Sequence, residues 1–240
     1  MNLILLFNDD FIEENKVRLD GRRLKHILEV HRVTPGDELR VGLAGGLIGT
    51  GLITSLNDIS LDMDVSLIHP PPPPLPLTLI LVLPRPKVLR RILLSVTAMG
   101  VKRIVLLNAF RVEKSFWQSP VLRHENIQRQ LVLGLEQSSD TILPEVLLKP
   151  FFKPFAEDEI PALIKDTLAL IAHPTAQGPC PRDVSQPVTL AIGPEGGFIP
   201  YEVDKLTSCG FHAVHLGERI LNIEAAVPAL ISRLLIICTV

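Results

Sequence analysis

Between residues 69 and 76 the chain reads HPPPPPLP. Consecutive prolines lack N–H donors and fix φ, so they enter neither a helix interior nor a central strand. They form an extended spacer of about 3.1 Å per residue. The 240 residues are therefore cut in two before any other pattern is read. The expected organisation is a first domain over 1–68, a proline-rich linker over 69–76 and a second domain over 77–240.

The first part reads as short strands. NLILLF is one, and DGRRLKHILEVHR is a short helix with Leu24, Ile27 and Leu28 on its apolar stripe. TPGDELRVGL is a turn followed by a strand. GGLIGTGLITSL and SLDMDVSLI continue as strands, the second with Leu61, Met63, Val65 and Leu67 alternating onto one face. About five strands and a helix predict a small β-barrel.

After the prolines the rhythm changes. LTLILVLP is a nearly unbroken apolar run, as a strand covered on both faces requires. RPKVLRRILLSVTAMG follows as a helix, with Pro86 near its start and Gly100 at its end. The alternation continues through KRIVLLN, SPVLRHENIQRQLVLGLEQSS, PEVLLK, DEIPALIK, DTLALIAHP, VTLAIGP, PYEVDKLTSCG, FHAVHLG and NIEAAVPALISRLL. This pattern predicts an α/β domain with a mostly parallel sheet covered by helices. Ligands of such sheets bind beyond the carboxyl ends of the strands.

Three of those strand ends lie in the last third of the chain: IAHP ending at His173, IGPEGG over 192–197, and HLGERIL over 215–221. The glycines Gly193, Gly196 and Gly197 allow backbone to approach a ligand with no Cβ in the way. Glu195 between them can pair with a cation. The motif is neither G-x-G-x-x-G nor G-x-x-x-x-G-K-[ST], so dinucleotide or ATP binding there is not expected.

Other sequence features narrow the function. Net charge is −2, yet residues 84–129 hold ten Lys and Arg against two Asp and Glu. That positive block suits contact with a polyanion. Cys180, Cys209 and Cys238 fit neither a disulfide framework nor metal spacing, so a reducing compartment is expected. No metal is expected at His124, His212 or His215 either. The start MNLILLFNDD does not read as a signal peptide, and no apolar run is long enough to span a membrane. These features point to the cytoplasm. Trp117 reads better as a half-buried anchor than as a base-stacking ring, although Arg111 and Lys114 lie close in sequence.

LAIGPEGGF, followed about twenty residues later by LGERIL and a helix, resembles the RsmE family, 16S ribosomal RNA uridine N3-methyltransferases of the SPOUT superfamily. RLDGRRLKHILEVHRVTPGDELRVG resembles that family's PUA-like RNA-binding domain; MGVKRIVLLN and GLEQSS resemble pieces of its catalytic domain. The resemblance implies a SPOUT-type domain with a deep trefoil knot, preceded by a PUA-like β-barrel. Composition would never suggest a knot, because knots are nearly absent from proteins.

The resemblance also implies S-adenosyl-L-methionine as cofactor, a homodimer, and 16S rRNA or the small ribosomal subunit as partner. The expected cofactor residues are His173, Gly193, Pro194, Glu195, Gly196, Gly197, Leu216, Gly217, Arg219, Ile220 and Leu221. Arg219 is the candidate for stabilising an anionic uridine, with Glu195 or Glu224 orienting it. RNA contacts are expected at Arg22, Arg23, Lys25, His26 and Arg32, and at Lys87, Arg90, Arg91, Arg111 and Lys114. The family's usual pattern differs at several places: Asn222 and Asp140 replace arginines, Ile223 replaces a threonine while Glu224 keeps the carboxylate, and Ala98 stands in a divergent helix segment; these positions are expected to face substrate. A catalytically impaired RNA-binding paralogue is the alternative. The apolar end ALISRLLIICTV suggests burial against a second copy.

Overall fold

The structure, a computed structural model, describes residues 2–31 and 33–236. The chain divides into two units, Met1–Pro73 with Val132–Leu143, and Pro74–Leu131 with Pro144–Val240. The division falls inside the proline run.

The first unit holds β1 (Ile4–Leu6), β2 (Phe11–Glu13), β3 (Lys16–Leu19), α1 (Gly21–His26), β4 (Glu38–Leu43), β5 (Ile48–Leu56) and β6 (Leu61–His69). They form one six-stranded sheet in the order β1-β4-β5-β6-β3-β2. Only β1 and β4 run parallel; the other neighbours are antiparallel. The strict period of two puts Leu61, Met63 and Val65 into a core with Ile4, Leu6, Val17 and Ile53, while Leu67 packs at its edge. From α1 and the wider turn after it, Leu24 and Ile27 enter that core and Leu28 stays exposed.

β1 is covered on both faces, and the alternation shows how. Ile4 and Leu6 face the first core; Leu3 and Leu5 join Ile48, Val132 and Leu135 in a second cluster. That is why residues 132–143 belong with the N-terminal unit, a return that sequence alone does not reveal. Arg22 reaches Glu136 at 3.1 Å, so a nearly fully buried carboxylate has a cationic partner.

The second unit alternates as expected: β7 (Leu77–Val82), α2 (Pro86–Ala98), β8 (Arg103–Leu107), α3 (Lys114–Trp117), α4 (His124–Ser138), β9 (Glu145–Lys149), α5 (Phe152–Pro154), α6 (Ile160–Leu163), β10 (Leu168–Ala172), β11 (Gly178–Pro179), β12 (Val188–Ile192), α7 (Pro200–Ser208), β13 (His212–His215) and α8 (Ile223–Leu234). The last turns of α4, from Val132, are those assigned to the first unit. Seven strands form one sheet, in the order β11-β13-β10-β12-β7-β8-β9, and every neighbouring pair is parallel. Parallel strands place all their carboxyl ends on one edge, which fixes where a site must be.

The helices obey their sequence signals. α2 starts with Pro86 in its first turn, buries Leu89, Ile92, Leu93 and Val96, and leaves Lys87, Arg90 and Arg91 outside. α8 buries Ile223, Val227, Leu230, Ile231 and Leu234 within its own unit. The inward stripe of that helix is therefore covered within one chain, while Ile236 just beyond it is 67% exposed. Residues 237–240 of the same segment, Cys238 among them, lie outside the described residues. No helix among the described residues is long and apolar enough to cross a membrane.

Candidate active site

The turns after β10, β12 and β13 meet around one cavity of about 530 Å³. That volume falls in the range of about 300–1,000 Å³ common for small-molecule sites. Its walls include His173, Gly193, Pro194, Glu195, Gly196, Gly197, Leu216, Gly217, Arg219, Ile220 and Leu221. Every residue expected to hold a cofactor thus lines the same space. The central strand β12 lies between β10 and β7, and β13 pairs with the other side of β10, so the three turns are neighbours by register.

The turns are held by their own backbone. Gly197 N–H donates to the Pro194 carbonyl at 2.8 Å, and Gly197 has φ of +72°. Gly217 sits at φ +131° and donates its N–H to His215 Nδ1 at 3.0 Å. Both conformations favour glycine. His173 is fixed from both sides: its N–H donates to the Val214 carbonyl at 2.9 Å, and its Nδ1 shares a hydrogen bond with Thr175 Oγ1 at 3.0 Å.

Polar groups at the rim are positioned from outside. Glu195 Oε1 accepts the Arg85 N–H at 3.0 Å, tying the GPEGG turn to the β7–α2 loop. The Arg111 guanidinium donates to the Gly196 carbonyl. Arg219 is exposed and makes no hydrogen bond or ion pair among the described residues. Glu224 does not line the cavity; it pairs with Arg91 at 3.1 Å, joining α8 to α2.

Some wall residues carried no readable signal. Phe198, Val214, Ala226 and Leu230 are of this kind and add apolar lining, whereas Ile192 and Ile223, both marked by the sequence, line the cavity with them. The sequence pattern of the first four is that of any core residue. His215, weighed only as a metal ligand, instead accepts from Gly217. Asn222 lines the cavity and caps α8, its Oδ1 accepting the Ala225 N–H at 2.8 Å. Asp140 does not face outward: it is 3% exposed, and its Oδ1 accepts the Ile142 N–H. The expectation that Asp140 meets substrate is corrected, because its oxygen closes a local turn in the first unit. Ala98 ends α2, half-buried.

The basic residues expected to touch RNA separate into two kinds. Lys87, Arg90, Arg91, Arg111 and Lys114 are exposed in the second unit. In the first unit Lys25 is exposed and weakly paired with Glu29 at 3.8 Å, while Arg22 is half exposed beside Glu136. Arg23 is mostly buried: it forms a paired contact to Asp10, donates to the Leu5 carbonyl and lies over the Phe7 ring. His26 is partly buried, and Arg32 lies outside the described residues. Trp117 is half-buried, with Nε1 donating to Asn108 Oδ1 at 2.9 Å, as an anchor would be. Among the described residues no group of three or more His, Cys, Asp or Glu is arranged to hold a metal.

A parallel α/β sheet with a glycine-rimmed cavity at its carboxyl edge defines a small-molecule-binding enzyme fold. Residues 71–235 match the RNA methyltransferase domain family, and the chain belongs to that family. Along nearly its whole length it is similar to Ribosomal RNA small subunit methyltransferase E of Treponema pallidum, 27% identical over 95% of this chain and 88% of that one. Ribosomal RNA small subunit methyltransferase E 1 of Borreliella burgdorferi is 20% identical over 95% of each chain. Among solved structures, the Neisseria gonorrhoeae methyltransferase E bound to S-adenosyl methionine shares the fold, with a TM-score of 0.72, 22% identity, and coverage of 96% of this chain and 95% of that one. The resemblance to the RsmE family is thus supported across both units.

Proposed function

We propose that the chain is an S-adenosylmethionine-dependent methyltransferase acting on N3 of a uridine in 16S rRNA of the small ribosomal subunit, in the cytoplasm and as a homodimer. The observation that carries this reading is the meeting of three strand-end turns, at 173, 193–197 and 216–222, on one cavity. The residues fit the cofactor by their chemistry. Gly193, Gly196, Gly197 and Gly217 keep side chains away from the cavity, and Leu216, Ile220 and Leu221 with Ile192 and Phe198 offer an apolar bed for adenine. When bound, S-adenosylmethionine supplies a methyl group on a sulfonium, an electrophile the protein itself lacks.

The chain's own residues orient and manage charge. Uridine N3 carries a weakly acidic proton, and its loss leaves negative charge on the base. Arg219, exposed at the cavity and without a carboxylate partner among the described residues, is a cation available to that charge. Glu195, held by Arg85 N–H, is a fixed carboxylate that can accept or relay a proton. Glu224 acts as a positioning residue through its ion pair with Arg91. Fixed orientation of this kind is worth about 7–11 kcal/mol in favourable cases.

Residues 1–68 are read as a PUA-like RNA-binding domain, 69–76 as the linker and 77–240 as a SPOUT domain with a trefoil knot. Two hydrogen bonds fit a knotted return. Asp183 and Val184, in the connection leading to β12, donate their N–H groups to the carbonyls of Arg233 and Leu234 at the end of α8. The last helix is therefore held by a loop that precedes the central strand. RNA is read as meeting Arg22, Lys25 and His26 in the first unit, and Lys87, Arg90, Arg91, Arg111 and Lys114 in the second.

The test is nucleoside mass spectrometry of 16S rRNA from cells with and without the gene. We expect 3-methyluridine to be lost without it and restored by the intact chain but not by Arg219→Ala. Unchanged 3-methyluridine removes the uridine assignment. Calorimetric binding of S-adenosylmethionine with no methyl transfer to small subunits would favour the impaired RNA-binding paralogue.

A further inference from the structure

Exposed apolar side chains that cluster on one surface mark an interaction site, whereas single ones need no explanation. Three large aromatics of the second unit are mostly exposed: Phe110 at 78%, Phe151 at 69% and Tyr201 at 52%. They come from distant sequence positions, yet hydrogen bonds tie together the segments that carry them. Phe110 N–H donates to Glu202 Oε1 at 2.7 Å, which ties its segment to the first turn of α7, where Tyr201 precedes Glu202. The Tyr201 ring lies 6.4 Å from that of Phe152, the neighbour of Phe151. Asn108 closes the set, donating from Nδ2 to the Pro150 carbonyl at 3.1 Å.

Their place in the fold gives them a meaning. Phe110 follows β8, Phe151 follows β9 and Tyr201 opens α7 after β12, so all three leave the carboxyl edge of the sheet that bears the cavity. Arg111, next to Phe110, donates to the Gly196 carbonyl on the cavity wall. The segment that carries Phe110 therefore adjoins the cavity rim. Arg111, Lys114 and Lys153 stand beside the rings in sequence and are exposed. Of the nearby acids, Glu157 and Glu159 are answered by Lys205 at 2.8 Å and Lys149 at 2.7 Å, while Glu113 and Asp158 are exposed.

We propose that Phe110, Phe151 and Tyr201 form a stacking platform for unpaired bases of single-stranded RNA, with Arg111, Lys114 and Lys153 meeting its phosphates. The inference rests on the reading of the chain as an RNA methyltransferase and adds how nucleotides flanking the target are held. Rings suit this task because every base has a π face, so stacking holds a strand without choosing its sequence. A base must also leave its stack before it is methylated, and a neighbouring platform holds the opened strand.

The test uses the full chain and a labelled single-stranded RNA of about 12 nucleotides carrying 2-aminopurine, within the span such surfaces bind. Phe110→Ala, Phe151→Ala and Tyr201→Ala are each expected to weaken binding about five- to hundredfold, as loss of one stacked base does. Tyr201→Phe should keep the affinity, Phe110→Leu should not, and the 2-aminopurine fluorescence change should fade with the rings. The side chains are solvent-facing, so thermal melting should be unaffected.

Affinities within about twofold of the unaltered protein, or no binding by it at all, overturn the platform. So does a fluorescence signal that survives ring removal, or a change in oligomeric state in place of RNA affinity, which would assign the rings to a protein partner. Calorimetry with S-adenosylmethionine on the same variants separates the two readings. Unchanged cofactor binding with lost RNA affinity supports both; loss of both affinities together counts against the platform. If the unaltered protein takes no cofactor yet its RNA binding depends on the rings, the platform stands and the methyltransferase reading falls.

Discussion

Arg111 and Gly196 lie against each other: the guanidinium donates to the Gly196 carbonyl, and a Cβ built on Gly196 would come within 3.1 Å of Arg111 Cδ. The turn that rims the cavity therefore has its shape supported by a side chain 85 positions earlier. Arg111→Ala leaves that carbonyl to water and frees the turn. Gly196→Ala pushes the same side chain away. Both should weaken S-adenosylmethionine binding in calorimetry, and the double variant should lose less than the sum. Residues in contact couple by about 0.5–3 kcal/mol, so additive losses would show that the contact does not shape the site.

Gly217 separates backbone strain from crowding. Nothing lies within 4 Å of a Cβ built there, yet its φ is +131°. Gly217→Ala should therefore cost about 1–3 kcal/mol through the backbone alone. At about 2–4 °C of Tm per kcal/mol for a chain of this size, thermal melting would register it. Cofactor affinity should fall with it, because the His215 bond that sets this turn would be strained. An unchanged Tm would mean the loop relaxes freely and does not hold a preset shape.

The residues read most securely from sequence were those whose spacing has only one physical solution. Leu61, Met63 and Val65 went to the core because a strand has a period of two. The three turns met because parallel strands share a carboxyl edge. Contacts that depend on tertiary position were not readable. Nothing in RRL announces that Arg23 is taken up by Asp10 while Arg22 reaches Glu136. The return of 132–143 to the first unit was hidden for a similar reason: α4 carries one helical periodicity through both units. Phe110, Phe151 and Tyr201 are isolated rings in the sequence, and only the fold places all three on segments that leave one edge of the sheet.

Asn222 stands where the family pattern has arginine, and its local work is structural. Its Oδ1 accepts the Ala225 N–H at 2.8 Å, capping the helix that closes the cavity. Asn222→Ala should cost about 1 kcal/mol, the usual value of a lost cap, and Asn222→Asp should cost little. Asn222→Arg restores the family residue but removes the cap. It should lower Tm as much as alanine does, whatever it does to turnover. Thermal melting of the three variants decides; an alanine variant as stable as the parent would dismiss the cap.

In the first unit, two hydrogen bonds of 2.7 Å from Arg18 hold the Asp62 carboxyl below the usual carboxylate range, partly opposed by burial. A carboxyl whose pKa is lowered on folding stabilises the fold above its unfolded pKa. That contribution is lost as pH falls through the folded value. Arg18 is half exposed, so the effect is small. Asp62→Asn should lower the Tm near neutral pH and leave it nearly unchanged in acid, where the parent has already lost the charge. Equal losses at both pH values would assign the effect to packing rather than charge.

Arg90 and Arg91 share the exposed face of α2 but not the same bonds. Arg91 pairs with Glu224; no hydrogen bond or ion pair involves Arg90 among the described residues. If the face meets RNA, each arginine releases counterions on binding. Removing one phosphate contact should reduce the slope of log K against log salt by about 0.7 for a single strand. Arg90→Ala should do this with S-adenosylmethionine affinity unchanged. Arg91→Ala should do it too, while also freeing α8 from α2 and weakening cofactor binding. Salt titrations of labelled RNA give the slope, and calorimetry gives the second affinity. Slopes equal to that of the parent would remove α2 from the RNA footprint, and intact cofactor binding in Arg91→Ala would leave the Arg91–Glu224 pair without a role in shaping the cavity.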